Sequence, residues 1–158
     1  MFPRLNYDLP IFGVDLVGTQ AGIGAAIVDL SPVNSQGVLS SAYIRAVANL
    51  PAIDFSQPRA LPAWGNIFSG FCLFVHPHNA EEEKFFLERV QQYLAVHCKI
   101  ALATSALTSK LEQAQVLSRQ RHYCAQQQQN DKTRRVLEKS LGETWTERYM
   151  SQMLFDCP

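Results

Sequence analysis

Strand-like patterning is confined to the first half of this chain, and helical patterning fills the second. Ile11–Val17 is a short apolar run with Asp15 inside it, and Ile23–Leu30 is a second, stopped by Ser31-Pro32. The five residues between them, Gly18-Thr19-Gln20-Ala21-Gly22, include two glycines, so the pair reads as a β-hairpin. A third strand candidate, Ile67–Val75, is rich in Phe and ends at His76-Pro77-His78. A short helix is expected over Ser40–Leu50, followed by an irregular stretch marked by Pro51, Pro58 and Pro62.

From Asn79 onward the signals are helical. Asn79 followed by Glu82 is a capping-box pattern, and Phe86, Val90, Tyr93, Leu94 and His97 share one helical face. A second long helix is expected over Leu107–Gln129. Asn130 caps a third, which stops at Gly142, and a fourth follows from Glu143 with Trp145, Tyr149 and Met153 four residues apart. Three strands make a small sheet for four or five helices to cover, and leave open edges. Either a partner completes this sheet or strands are missing from its N-terminal side.

Composition limits the function classes. At 158 residues the chain suits one domain, 1–158, and 47% hydrophobic with 18% charged residues argues for a packed core rather than disorder. Fourteen basic against fourteen acidic residues give a net charge of zero, which argues against a nucleic-acid binder. The apolar stretches Ile23–Val28 and Leu94–Ala103 are too short to cross a membrane. Pro3, Asp8 and Pro10 interrupt the place where a signal peptide would need its apolar core. Cys72, Cys98, Cys124 and Cys157 are dispersed, without a C-x-x-C pair, so they supply no zinc or iron–sulfur motif. Dispersed thiols fit a reducing compartment, and a cytoplasmic location is expected.

Few residues stand out as chemistry. Asp15 lies within an apolar strand, where an ionised carboxylate is costly unless paired. It reads either as a proton donor with a raised pKa or as a strand-edge carboxylate meeting water or a backbone amide. Gly18, Gly22 and Gly24 do not form G-x-G-x-x-G before a helix, so no nucleotide site is expected. His76 and His78 have no third ligand at metal-site spacing, and His97 and His122 read as helix-face residues. Arg119–Arg148 carries seven basic and four acidic residues. That excess suits either a solvated face with pairs such as Arg134–Glu138 or a dock for an acidic partner or a ligand's carboxylates.

Four segments carry a family likeness. Asn130-Asp131-Lys132-Thr133-Arg134-Arg135-Val136-Leu137-Glu138-Lys139 and Trp145-Thr146-Glu147-Arg148-Tyr149-Met150-Ser151-Gln152-Met153-Leu154-Phe155-Asp156 resemble the C-terminal signature of the ferredoxin-dependent bilin reductases. Leu9-Pro10-Ile11-Phe12-Gly13-Val14-Asp15 is similar to the strand that carries that family's catalytic aspartate, and Leu61-Pro62-Ala63-Trp64-Gly65-Asn66-Ile67-Phe68-Ser69 is a further match. The likeness runs from Met1 to Phe155 and is greatest to the members that make phycocyanobilin.

The resemblance implies an α/β (α+β) fold, a three-layer α/β/α sandwich with a central antiparallel sheet. It implies reduction of biliverdin IXα to phycocyanobilin, by single electrons from reduced ferredoxin, through bilin radicals that side chains protonate. It implies no bound cofactor or metal, and no nucleic-acid or membrane partner is expected. By position, Asp15 is the central proton donor. Arg59 and Lys132 hold the two propionates, Trp64 is a pocket wall, and Asn130 and Asp131 form a polar pair at the helix side. Gly24 stands where the closest relatives often have a serine. The family's N-terminal part, with a catalytic histidine, a catalytic glutamate and further sheet strands, has no counterpart here. The expectation is a C-terminal portion of a reductase domain that is inactive or impaired by itself. The alternatives are a reductase making another phycobilin such as phycoerythrobilin, or a non-catalytic bilin-binding fragment.

Overall fold

The computed structural model describes residues 1–20 and 22–156. The hairpin forms as expected, but its strands are longer and its connection shorter. Strand β1 is Ile11–Thr19 and β2 is Gly22–Ser31, so Gly18 and Gly22 belong to strands. Ala21, in the connection, lies outside the described residues, as does Cys157. The two strands pair antiparallel, with Gly13 opposite Asp29 and Asp15 opposite Ile27, and a register irregularity falls between Val17 and Gly18. Helix α1 follows at Ser41–Ala48.

The third strand is much shorter than expected. Only Leu73–Val75 (β3) pairs with β2, giving a sheet of order β1-β2-β3 among the described residues. The reason lies at Ser69. Its backbone N–H and its hydroxyl both donate to the Asp29 carboxylate, at 3.0 and 2.6 Å, and its carbonyl accepts from the Cys72 N–H. These bonds turn the chain where a strand would run straight, and Gly65–Ile67 is a 3-10 turn instead. A segment absent from the sequence expectation lines the outer side of β3: Arg59 N–H donates to Phe74 carbonyl and His76 N–H to Gln57 carbonyl.

Helix α2 spans Ala80–Ala103 and α3 spans Lys110–Gln127, starting later than expected because Ser109 caps it. Helix α4 is Asp131–Leu141 and α5 is Glu143–Tyr149, which runs into a π-helical turn over Met150–Leu154. The three capping expectations hold in part. Asn79 Oδ1 accepts from Glu82 N–H and Asn130 Oδ1 from Thr133 N–H, and Gly142 ends α4 at φ 82°. The Glu82 carboxylate does not close a capping box on Asn79; it accepts from the N–H groups of Ser56 and His78 and so ties two loops to the helix start.

Two helical layers enclose the sheet unequally. On one face Ala26, Val28 and Leu30 pack with Tyr43 and Val47 of α1 and with Phe86 and Tyr93 of α2. His97 joins this layer; its Nδ1 lies 2.9 Å from Tyr43 Oη and its ring stacks on Phe12. Leu94, expected on the same face, is exposed, as are Trp145 and Met153 farther on. On the other face a smaller cluster joins Ile11 and Val33 to Val116 and Tyr123 of α3. Helix α4 buries no residue. No helix among the described residues is long and apolar enough to cross a membrane.

Candidate functional site

Strand alternation builds the site. Successive side chains point to opposite sheet faces, so Gly13, Asp15 and Val17 of β1 share a face with Ile27 and Asp29 of β2. That face does not pack tightly against helices. It opens into a cavity of about 560 Å³, roofed by the last turn of α3, the first turn of α4 and the end of the π turn. The volume lies within the range of about 300–1,000 Å³ common for small-molecule sites.

All six residues singled out in the sequence line this one cavity: Asp15, Arg59, Trp64, Asn130, Asp131 and Lys132. Asp15 is open to solvent through the cavity, yet the surrounding walls desolvate its carboxylate and raise its pKa above the usual carboxylate value. A hydrogen bond from the Leu16 backbone only partly offsets this. Arg59 reaches the site because Gln57–Arg59 runs alongside β3. Its guanidinium donates to the Gly24 carbonyl at 2.9 Å and lies 5.7 Å from the Phe74 ring centre. The carbonyl of Gly24 thus holds the Arg59 guanidinium, whatever side chain stands there. Trp64 packs on Phe68 across the 3-10 turn at 6.0 Å.

Asn130 combines two roles. Its carbonyl oxygen caps α4, and the capped turn carries Asp131 and Lys132 at the cavity rim, both exposed. Asp15, Asp29 and Asp131 supply acid, while Arg59, Lys132 and Arg135 supply positive charge. An apolar slot with acids at its floor and cations at its edges suits a flat, largely apolar molecule bearing carboxylates.

The basic segment divides when folded. Lys132 and Arg135 face the cavity, and Arg119 donates to the Ser35 carbonyl. Arg134 pairs with Glu147 at 2.6 Å rather than with Glu138. No histidine lines the cavity, and no cluster of three metal-ligating residues occurs, among the described residues. His97 belongs to the opposite layer; burial lowers its pKa.

Asp29, Tyr123 and Gln127 were not anticipated. The Asp29 carboxylate accepts from Ser31 Oγ at 2.6 Å and from both donors of Ser69, and burial raises its pKa against those bonds. The signal was present: Asp29 interrupts the apolar run Ile23–Leu30 as Asp15 interrupts Ile11–Val17.

The family model described as "Ferredoxin-dependent bilin reductase" matches residues 1–156. The chain belongs to the ferredoxin-dependent bilin reductases. It is 54% identical over its whole length to a phycocyanobilin:ferredoxin oxidoreductase of Synechococcus elongatus, and 49% identical to that of Trichodesmium erythraeum. In both cases it spans 64% of the relative's length. The fold matches that of tomato phytochromobilin synthase, crystallised in complex with biliverdin, with a TM-score of 0.76 at 15% identity. That match covers 98% of this chain and 58% of the tomato chain. The bilin-reductase sandwich expected from the sequence is thus the observed fold.

Proposed function

We propose that this chain carries the bilin site of an enzyme that reduces biliverdin IXα to phycocyanobilin, with electrons delivered singly by reduced ferredoxin. The observation that supports this reading most is the convergence of Asp15, Arg59, Trp64 and Asn130–Lys132 on one cavity between sheet and helices. Relatives named phycocyanobilin:ferredoxin oxidoreductase share about half of its residues.

In this reading the bilin lies over the β1–β2 face. Arg59 and Lys132 take the two propionates, the Arg by parallel N–H donors and the Lys as a point charge. Trp64 closes the apolar wall, and Asn130 and Asp131 orient water and polar edges at the helix side. Each added electron makes the bilin more basic. Asp15, whose carboxyl the surrounding walls desolvate so that its pKa is raised, is the acid placed to give a proton to the reduced pigment. The basic residues left outside the cavity, among them Lys139 and Arg148, meet the acidic carrier, and the protein works in the cytoplasm, where its thiols stay reduced.

The test combines binding with electron uptake. Biliverdin added to the chain is expected to bind one to one with a shifted visible spectrum. Reduced ferredoxin added anaerobically is expected to bleach that band and give an organic radical signal in electron paramagnetic resonance. Asp15→Asn should bind biliverdin and prolong the radical. Release of product by this chain alone is expected to be slow, because no histidine lines the cavity beside Asp15 among the described residues. The product's spectrum separates phycocyanobilin from phycoerythrobilin. Biliverdin that binds but accepts no electron would make this a binding module rather than a reductase site.

A further inference from the structure

Beside Asp15, on the same strand face, stands Gly13. A side chain there would bring its Cβ within 3.3 Å of Tyr123 Oη, closer than a comfortable contact. The glycine is thus the space through which a buried tyrosine of α3 brings its hydroxyl down onto β1. The residue opposite Gly13 is Asp29, whose carboxylate accepts from Ser31 and from both donors of Ser69. Tyr123 is 8% exposed, and both it and Gln127, one turn later, line the cavity.

The hydroxyl's bonding is incomplete. A phenol has one proton to donate and two lone pairs. Gln127 Nε2 donates to Tyr123 Oη at 3.0 Å and occupies one lone pair. The phenol proton itself has no acceptor among the described residues, and burial keeps the phenol protonated by raising its pKa. The ring is held from the side by the edge of Phe2 at 5.8 Å, so the hydroxyl's position is set by its frame rather than by its own bond. A buried donor without an acceptor is costly, and it borders the cavity that also holds Asp15.

We infer that the Tyr123 hydroxyl is a substrate-contacting donor: it gives its proton in a hydrogen bond to a polar edge of the bound tetrapyrrole, a lactam oxygen or unprotonated pyrrole nitrogen, and so sets the pigment's register over Asp15. Gly13 gives the hydroxyl access, and Gln127 is a positioning residue that acts through it. This inference rests on the bilin reading above and adds to it a contact that the sequence motifs do not mark. No proton is transferred; the hydroxyl stays a phenol throughout.

The test is titration of biliverdin into the wild-type chain and into Tyr123→Phe, Gly13→Ala and Gln127→Leu, read by the visible spectrum, with thermal unfolding as a check on folding. Tyr123→Phe keeps the ring and removes only the donor. It is expected to weaken binding roughly 5–50-fold and to shift the bound pigment's long-wavelength band. Gly13→Ala should produce a band shift by displacing the hydroxyl, and Gln127→Leu a smaller one. Unchanged affinity and spectrum in folded Tyr123→Phe would overturn the inference while leaving the bilin reading intact. If Tyr123→Phe fails to fold, Gln127→Leu decides: a band shift supports the contact, and an unshifted spectrum at wild-type affinity removes it. A wild-type chain that does not bind biliverdin would instead overturn the bilin reading, and the contact with it.

Discussion

The two faces of the sheet are made by alternate residues of the same two strands, yet they do opposite things. Toward α1 and α2, Ala26, Val28 and Leu30 are fully buried in an apolar layer. Toward α3 and α4, their neighbours Ile27 and Asp29 face a hollow with Gly13 and Asp15. The first face is filled by buried apolar side chains, and such burial is where folding stability comes from. The second keeps a void and a set of polar groups that cost stability, which is how a binding face differs from a core. Alternation makes the division possible, because a strand can change one face without disturbing the other.

The sharpest way to break this comparison is to remove bulk from each side. Phe86→Ala, on the packed face, is expected to cost about 3–5 kcal/mol in chemical denaturation. Ile27→Ala, on the cavity face, should cost less than about 1 kcal/mol, because its side chain already borders open space. Equal losses would mean that the second face is a core after all.

Asp29 tests the boundary between the two. Asp29→Ala leaves the Ser31 and Ser69 donors unsatisfied in a buried place and is expected to destabilise by about 1–3 kcal/mol, with the Ser69 turn loosened. Asp29→Asn keeps the shape and at least one acceptor and should cost less. Similar losses from both would assign the effect to charge rather than to the lost acceptors. Asn130→Ala removes the α4 cap for about 1 kcal/mol. The same change should also weaken biliverdin binding, since the capped turn carries Asp131 and Lys132. A loss of stability with binding intact would separate cap from site.

The smallest expected effect belongs to pH. Burial lowers the His97 pKa in the folded state below its unfolded value of about 6.5. Between those values the unfolded chain binds the extra proton, so stability rises with pH through that window and is complete above it. Acidification through about pH 6.5 should therefore destabilise the wild type more than His97→Gln. Asp15 and Asp29, with raised pKa values, act with the opposite sign: their native protonated forms are favoured at low pH, and stability falls as pH rises through their folded values. Comparing wild type with His97→Gln at each pH removes those contributions, and identical slopes would leave His97 without a part in the pH response.

The comparison also shows which parts of the molecule were legible in the sequence. Three helix ends were, because caps are local: Asn79, Asn130 and Gly142 each act within four residues. The hairpin was, because its pattern and turn are contiguous. The third strand was misjudged because the bonds that turn the chain at Ser69 come from Asp29, forty residues earlier. The face of α2 was right at Phe86, Tyr93 and His97 and wrong at Leu94, since periodicity gives a direction but not the width of the layer that covers it. The site residues came from family motifs. Tyr123 and Gln127 were missed because a helix pairs them with a glycine on a strand, a contact between distant parts of the chain that no local motif carries.

The hollow face of the sheet is the proposed bilin site. The direct measurement is the affinity and spectrum of biliverdin bound to the wild-type chain, to Arg59→Ala with Lys132→Ala, and to Asp15→Asn. The prediction is saturable one-to-one binding to the wild type, affinity reduced at least tenfold by loss of the two cations, and a pigment spectrum in Asp15→Asn whose pH dependence differs from that of the wild type. Binding that ignores all three residues, or no binding at all, would contradict it.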